Sequence, residues 1–391
     1  MRAGLISIIN TIKNNQDAYI IVDCDCDGYT SAALLINYLY KIFPSWVLSH
    51  LKWLMHNGKQ HGLKDCINKI LAEQNQCGLV ICPDSSSNDY QEHQLLSEKS
   101  IKVLVIDHHL ADELSQYAII INNQLSDYPN KELSGVGVTW QFCRYIDEQL
   151  KINFANDFLD LVALGNCADM MSLKSFETRY LITKGFKKEN IKNPFIDYML
   201  DKNAFPLSKS DYLSTDESTA CTSIGAAFFI VPFVNAITRS GTIQEKEIIF
   251  KSMINHLAFE KVLSTKRGHK LGEEEQLILQ AIRTATNVKN RQTKAEEAGL
   301  TMLEKMIEQN HMLDHKILLF LLEPGQIAPE IRGLIANKFM AKYQRPCCLL
   351  TRTYKDDIEM YEGSARGYTK TGIESFKNIL EQCPGVVYAQ G

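Results

Sequence analysis

The sequence predicts an α/β protein in two parts: a parallel-sheet domain joined by a long helix to a smaller α/β domain. Three observations predict it. Short apolar runs alternate with helix-length stretches through the first half; residues 271–310 are rich in Glu, Lys, Gln, Leu and Ala without a proline; and 391 residues exceed what one hydrophobic core usually organises.

The apolar runs at 19–22, 79–82, 101–106 and 118–121 have the length of strands buried on both faces. Between them, 30–40, 64–73 and 88–98 read as helices. Alternating strand and helix gives a mostly parallel sheet covered on both sides, with ligand sites at the carboxyl ends of its strands. The stretch 271–310 then reads as one long helix or two in line. Beyond it, 316–322 reads as a strand, 329–343 as a helix and 346–351 as another strand. The resulting layout is a domain over 1–255, a helical linker over 256–314 and a second small domain over 315–391.

Composition narrows the class. With 45% hydrophobic and 23% charged residues the chain matches a soluble globular protein, not a disordered or fibrous one. No unbroken run of eighteen apolar residues occurs and residues 1–10 lack the order of a secretory signal, so membrane spanning and signal-directed export are disfavoured. The formal charge of -4 means that a nucleic acid would be met by a local basic face. Eleven scattered cysteines without a Cys-x-x-Cys pair fit a reducing cytoplasm. Cys24 and Cys26 read as small buried hydrophobes sharing one face of a strand.

The chemistry-bearing residues sit where runs end. Asp23-Cys24-Asp25-Cys26-Asp27-Gly28 follows the first run and crowds three carboxylates into one turn. Such charges repel unless a hard divalent cation compensates, although a solvated loop with helix-capping carboxylates also accounts for them. An EF-hand fits poorly, since an apolar helix begins near Ser31. Asp84 follows the second run, Asp107-His108-His109 the third, and Asp169 lies in the segment 164–173. Strand-end sites rich in oxygen with one or two imidazoles suit Mn²⁺ or Mg²⁺ better than structural Zn²⁺. Two such ions would clamp a phosphoryl group for in-line attack, so phosphoester hydrolysis follows.

At these residues a resemblance becomes specific. The Asp23–Gly28 segment, Asp84, Asp107-His108-His109 and Ala168-Asp169 occur in the order of the four motifs of the DHH phosphoesterase superfamily. Ile121-Asn122-Asn123, Tyr128-Pro129 and Leu133-Ser134-Gly135-Val136-Gly137-Val138 resemble the RecJ branch, as does Pro232-Phe233-Val234-Asn235-Ala236 followed by Arg239. Gly363-Ser364-Ala365-Arg366 resembles the Gly-Ser-x-Arg motif of the associated DHHA1 domain.

The resemblance implies two bound Mn²⁺ or Mg²⁺ ions held by Asp23, Asp25, Asp27, Asp84, His108 and Asp169. Asp23 would substitute for a histidine that many relatives outside RecJ carry where this chain has Ile21. His109 would donate to the scissile phosphate and Asp107 would orient the histidine pair. Arg239, Ser364 and Arg366 would contact the nucleic-acid backbone, the last two as a cradle in a glycine-bracketed turn. His61-Gly62-Leu63 stands where RecJ has Gly-Tyr-Gly-Leu, which suggests a substrate loop.

The implied activity is 5′ to 3′ trimming of single-stranded DNA in the cytoplasm, in repair, recombination or replication, with DNA favoured over RNA. The alternatives are an oligoribonucleotide or cyclic-dinucleotide phosphodiesterase and a non-catalytic replication scaffold. The intact acidic set argues against the scaffold. Family sequences commonly continue into a Gly-Gly-His motif, so a DHHA1-like domain ending at Gly391 is expected to lack its last elements.

Overall fold

The computed structural model describes the chain apart from residues 59, 112, 210, 211, 213, 271, 356, 372–375 and 387–391, so the expectation about the terminus at Gly391 lies outside the described residues. Two compact units emerge, Met1–Lys289 and Asn290–Gly391.

The first unit opens with α1 (Arg2–Lys13), β1 (Asp17–Val22), α2 (Cys26–Ile42), α3 (Pro44–His50), β2 (Leu51–Met55) and α4 (Ile67–Ala72). It continues through β3 (Cys77–Pro83), α5 (Tyr90–Glu98), β4 (Lys102–Asp107) and β5 (Ile119–Asn122). These five strands form one parallel sheet in the order β2-β1-β3-β4-β5. Ile20, Val22, Ile81, Leu104 and Ile106 enter the core on one face. Tyr19, Ile21, Val80, Cys82 and Val105 fill the other. Alternate side chains point to opposite faces, so a sheet covered on both sides needs unbroken apolar strands. β2 has no such run: it is an edge strand whose Lys52, Trp53 and Leu54 are only half-buried, which hid it from the sequence reading.

Strand order reverses between β1 and β3, since the next strand from β1 lies on one side and those after β3 on the other. That switch point opens a crevice at the carboxyl ends.

A helical half follows: α6 (Gly135–Leu150), α7 (Leu159–Ala168), α8 (Phe176–Gly185), α9 (Pro194–Lys202), α10 (Ala204–Leu207), α11 (Ser223–Phe229), α12 (Val231–Ser240) and α13 (Ile243–Ser252). The window Ser223–Ser240 reaches a mean hydropathy of 1.3, apolar enough by composition to cross a membrane. It contains Asn235 and Arg239, and here it is split into α11 and α12 around Ile230, so it forms no single span. The short antiparallel pair β6 (Lys261–Leu263) and β7 (Glu274–Gln276) precedes α14 (Leu277–Gln309). The long helix is therefore shorter at its start than 271–310, because Glu274–Gln276 pairs as a strand instead.

The second unit contains β8 (Leu318–Leu322), α15 (Pro329–Tyr343), β9 (Cys347–Lys355), β10 (Ile358–Arg366) and α16 (Phe376–Glu381). β8 pairs parallel with β9, and β9 antiparallel with β10. Phe320, Ile335, Phe339 and Leu349 form its own core. The Gly363–Arg366 segment is not a turn: Ser364 pairs with Leu349 and Arg366 with Cys347, so it belongs to β10.

Candidate metal centre

The crevice collects the acidic residues. Asp23 leaves the end of β1 and is fully buried. Asp25 caps α2, accepting from the Gly28 amide at 2.9 Å, which fixes the turn between strand and helix. Asp27, in the first turn of α2, accepts from Ser134 Oγ at 2.9 Å and from the amides of Gly135 at 2.6 Å and Val136 at 3.2 Å. Those amides are the start of α6, whose unpaired N–H groups favour an anion. Cys24 and Cys26 are buried as expected, but not on a strand: Cys24 is in the loop and Cys26 opens α2.

Asp84 follows β3 with a left-handed backbone (φ 68°), held by its amide donating to Ile106 O at 2.7 Å. A β-carbon on Gly135 would lie 2.2 Å from Asp84 Oδ1, so only glycine lets α6 start against this carboxylate. Asp169 differs from expectation in its setting. It is not at a strand end but is the C-cap of α7, brought in because the segment before it folds as a helix.

His108 Nε2 lies 3.3 Å from Asp84 Oδ1, 3.2 Å from Asp169 Oδ2 and 3.9 Å from Asp27 Oδ2. None of these contacts is aligned as a hydrogen bond: His108 Nε2 and Asp84 Oδ1 are buried without a hydrogen-bond partner, and so is Asp23 Oδ1. Asp27, His108 and Asp169 form one group able to hold a cation, and Asp23, Asp25 and His61 another. His61 reaches the centre through Nδ1, 2.6 Å from Asp23 Oδ2. It is the residue whose part the sequence left loosest. Its loop is anchored by the Leu63 amide donating to Asp89 at 2.8 Å.

Burial first, then the charge of Asp169, pushes Asp27 up to about 7. Burial and neighbouring carboxylates raise Asp25 and take Asp84 well above the carboxylate range. For His108, burial disfavours the charged ring, but Asp169 and Asp27 outweigh it and raise its pKa. Crowded, desolvated carboxylates with lone pairs left over are what an oxygen-seeking divalent ion would satisfy, so the residues fit such a group.

Asp107 stands apart from this crowd. It accepts from the amides of Ser87 at 3.1 Å, His108 at 2.7 Å and His109 at 3.2 Å, and from His109 Nδ1 at 2.8 Å. Burial alone would raise its pKa, but the bond from His109 leads the effects that hold it well below the usual range. The same bond lifts His109 to about 9, leaving a charged, half-exposed ring beside the acidic cluster. Asn122 supports this corner by donating to Ser87 Oγ at 3.0 Å and to His109 O at 2.8 Å.

Arg239 lies in the last turn of α12, four residues after Asn235, whose Oδ1 accepts from the Cys26 amide at 3.2 Å. The two share a helix face, so Arg239 stands one turn from the loop that carries Asp23 and Asp25. Ser364 and Arg366 belong to the second unit, on β10.

Residues 17–166 match the DHH family, N-terminal domain. The matched stretch carries Asp23, Asp25, Asp27, Asp84, Asp107, His108 and His109. The chain resembles the putative SPbeta prophage-derived single-strand DNA-specific exonuclease YorK of Bacillus subtilis, at 34% identity over 374 residues, covering 95% of this chain and 61% of that protein. The single-stranded-DNA-specific exonuclease RecJ of the same bacterium is 22% identical over 387 residues, covering 97% of this chain and 43% of its own. The chain thus spans about two fifths to three fifths of the length of these relatives. Among solved structures, RecJ from Thermus thermophilus in complex with Mn²⁺ shares the fold with a TM-score of 0.67 at 18% identity, over 90% of this chain and 45% of that one. The first unit therefore carries the acidic centre, with Asp169 just beyond the matched stretch, and all four motif segments read from the sequence converge on its crevice.

Proposed function

We propose that the chain hydrolyses phosphodiester bonds of single-stranded nucleic acid, DNA in preference to RNA, from the 5′ end, using two Mn²⁺ or Mg²⁺ ions. The observation that carries the proposal is the approach of Asp27, Asp84 and Asp169 to His108 Nε2, with buried oxygens of Asp23 and Asp84 left unpaired. In this reading Asp23, Asp25, Asp27, Asp84, His108 and Asp169 hold the ions. When bound, they supply Lewis acidity and a water of lowered pKa.

The remaining steps belong to side chains. Asp107 fixes the ring of His109 through Nδ1, which leaves Nε2 as a charged donor for the phosphate oxygen that gains charge. Arg239, Ser364 and Arg366 grip the backbone of the strand, whose charge favours guanidinium contacts. The layout proposed is a DHH domain over 1–255, a helical linker over 256–314 and a DHHA1-like domain over 315–391. The setting proposed is the cytoplasm, in repair, recombination or replication.

One incubation tests the reading: protein with Mn²⁺ and end-labelled single-stranded DNA, single-stranded RNA or cyclic dinucleotides, with products sized over time. Mononucleotides released first from the 5′ end of DNA support it. Preferred cleavage of RNA or cyclic dinucleotides replaces it with the small-substrate alternative, and no cleavage of any substrate favours a scaffold.

A further inference from the structure

In the second unit a cation is buried without an anion among the described residues. Arg332, in the first turn of α15, is only 6% exposed. Its Nε donates to Ile327 O and its Nη1 to Glu362 O, both at 3.4 Å, the long limit of a hydrogen bond. Among the described residues, the ion pairs of this unit join Lys338 to Glu296, Lys342 to Glu304, Arg352 to Glu323 and Lys377 to Glu381, and leave Arg332 out. Glu362 is exposed, and only its carbonyl meets Arg332. A guanidinium keeps its proton at physiological pH, so it cannot escape the cost of burial by becoming neutral. Buried charges in folded proteins are paired, and two long carbonyl contacts do not supply a counter-charge.

The neighbouring residue shows where the counter-charge would enter. A β-carbon on Gly333 would lie 2.8 Å from Arg366 Nη2 and 3.6 Å from Ser364 Oγ, so the Arg366 guanidinium rests against the bare backbone of α15. Glu362, Ser364 and Arg366 alternate along β10 and share one face of it. Arg332 meets that strand at Glu362, about 7 Å from Ser364 at roughly 3.4 Å per residue.

We propose that Arg332 forms the buried floor of a phosphate cleft whose outer wall is Arg366 with Ser364, and that a phosphate of the bound strand provides the missing anion. The inference rests on the proposed role of Ser364 and Arg366 as substrate contacts and adds a residue to it. Burying Arg332 uncompensated in the free protein sacrifices stability for grip. Removing the charge should therefore leave the free protein no less stable while weakening binding. A merely structural brace between Ile327 O and Glu362 O would do the reverse.

The test uses the full chain, metal-free in EDTA, with a fluorescent single-stranded deoxyoligonucleotide read by anisotropy across a salt series, and thermal melting of each variant alone. Arg332→Met should melt at or above the parent temperature, bind on the order of tenfold or more weakly, and show a salt slope shallower by roughly one. Arg332→Lys, which keeps the charge, should recover part of the affinity. A lowered melting point for Arg332→Met without recovery by Arg332→Lys overturns the proposal in favour of a brace. Unchanged binding by Arg332→Met while Arg366→Ala binds weakly overturns it and leaves the role of Arg366 standing. Unchanged binding by both removes that role as well.

Discussion

Asp107 Oδ1 lies 2.8 Å from His109 Nδ1, and this bond sets the two histidines of the motif in different surroundings. His108 turns inward to the carboxylates, 3.2 Å from Asp169, while His109 is half-exposed and pinned through Nδ1 by Asp107.

Asp107→Asn should reduce turnover on the order of 10- to 100-fold with little change in metal affinity, because it loosens a ring and not an ion. His109 at about 9 in the parent is charged below that pH. Any activity that needs the charged ring is present at neutral pH and lost as pH rises through 9. Without the carboxylate the ring returns toward ~6.5, so the loss moves to lower pH. Single-turnover rates across pH read this, and an unmoved alkaline limb would dissociate His109 from the phosphate.

Asp84→Ala and Asp169→Ala should each lower cleavage by more than about 10²-fold, since each removes a carboxylate from around His108 and no core packing. Calorimetry with Mn²⁺ should show weakened binding while circular dichroism stays that of the parent. Near-normal turnover in either variant would contradict the ligand assignment.

Stability without metal should depend on pH in an unusual direction. Asp27 titrates at about 7 and Asp25 and Asp84 are also raised. An acid whose folded pKa exceeds its unfolded value of ~4 binds its proton more tightly when folded, so its stabilisation is full below ~4 and is lost as pH rises through 7. Melting temperature of the EDTA-treated protein should therefore fall between about pH 5 and pH 8. Saturating Mn²⁺ should remove the slope, and a flat profile without metal would show that the carboxylates do not repel.

Gly135→Ala should damage the centre from a position with no chemistry of its own. The added methyl would meet Asp84 Oδ1 at 2.2 Å and force the carboxylate or the start of α6 to move. Metal affinity should drop roughly tenfold or more, in line with other displaced supports of a metal site. Titration of Mn²⁺ by calorimetry decides it.

Much of the centre was legible because strand ends are legible. Residues 19–22, 79–82 and 101–106 are apolar with little interruption, so Asp23, Asp84 and Asp107 announce themselves as the polar groups that close each run. Asp169 was found through its motif but misplaced, since Leu164-Gly165-Asn166-Cys167-Ala168 is nearly as apolar as a strand and too short for periodicity to separate from a helix. The pairing of His61 with Asp23 and the approach of the α6 amides to Asp27 link residues 38 and more apart, and no local pattern encodes them. β10 escaped because Ile358–Arg366 is mostly exposed and carries a glycine, which blurs its alternation. Arg332 gave no signal: a single Arg in a helix looks solvated until its surroundings are known.

The switch point between β1 and β3 carries a consequence for how the protein comes apart. Asp23, Asp84, His108 and Asp169 are contributed by four chain segments whose neighbours in sequence diverge from the crevice. An ion shared among them would act as a knot tied where the threads separate, holding the ends of β1, β3, β4 and α7 in one cooperative unit. Chelation should untie that end first. Amide hydrogens around Asp84 and the last turn of α7 would then exchange sooner than those at the middle of β3, while the apolar layers beneath stay shut.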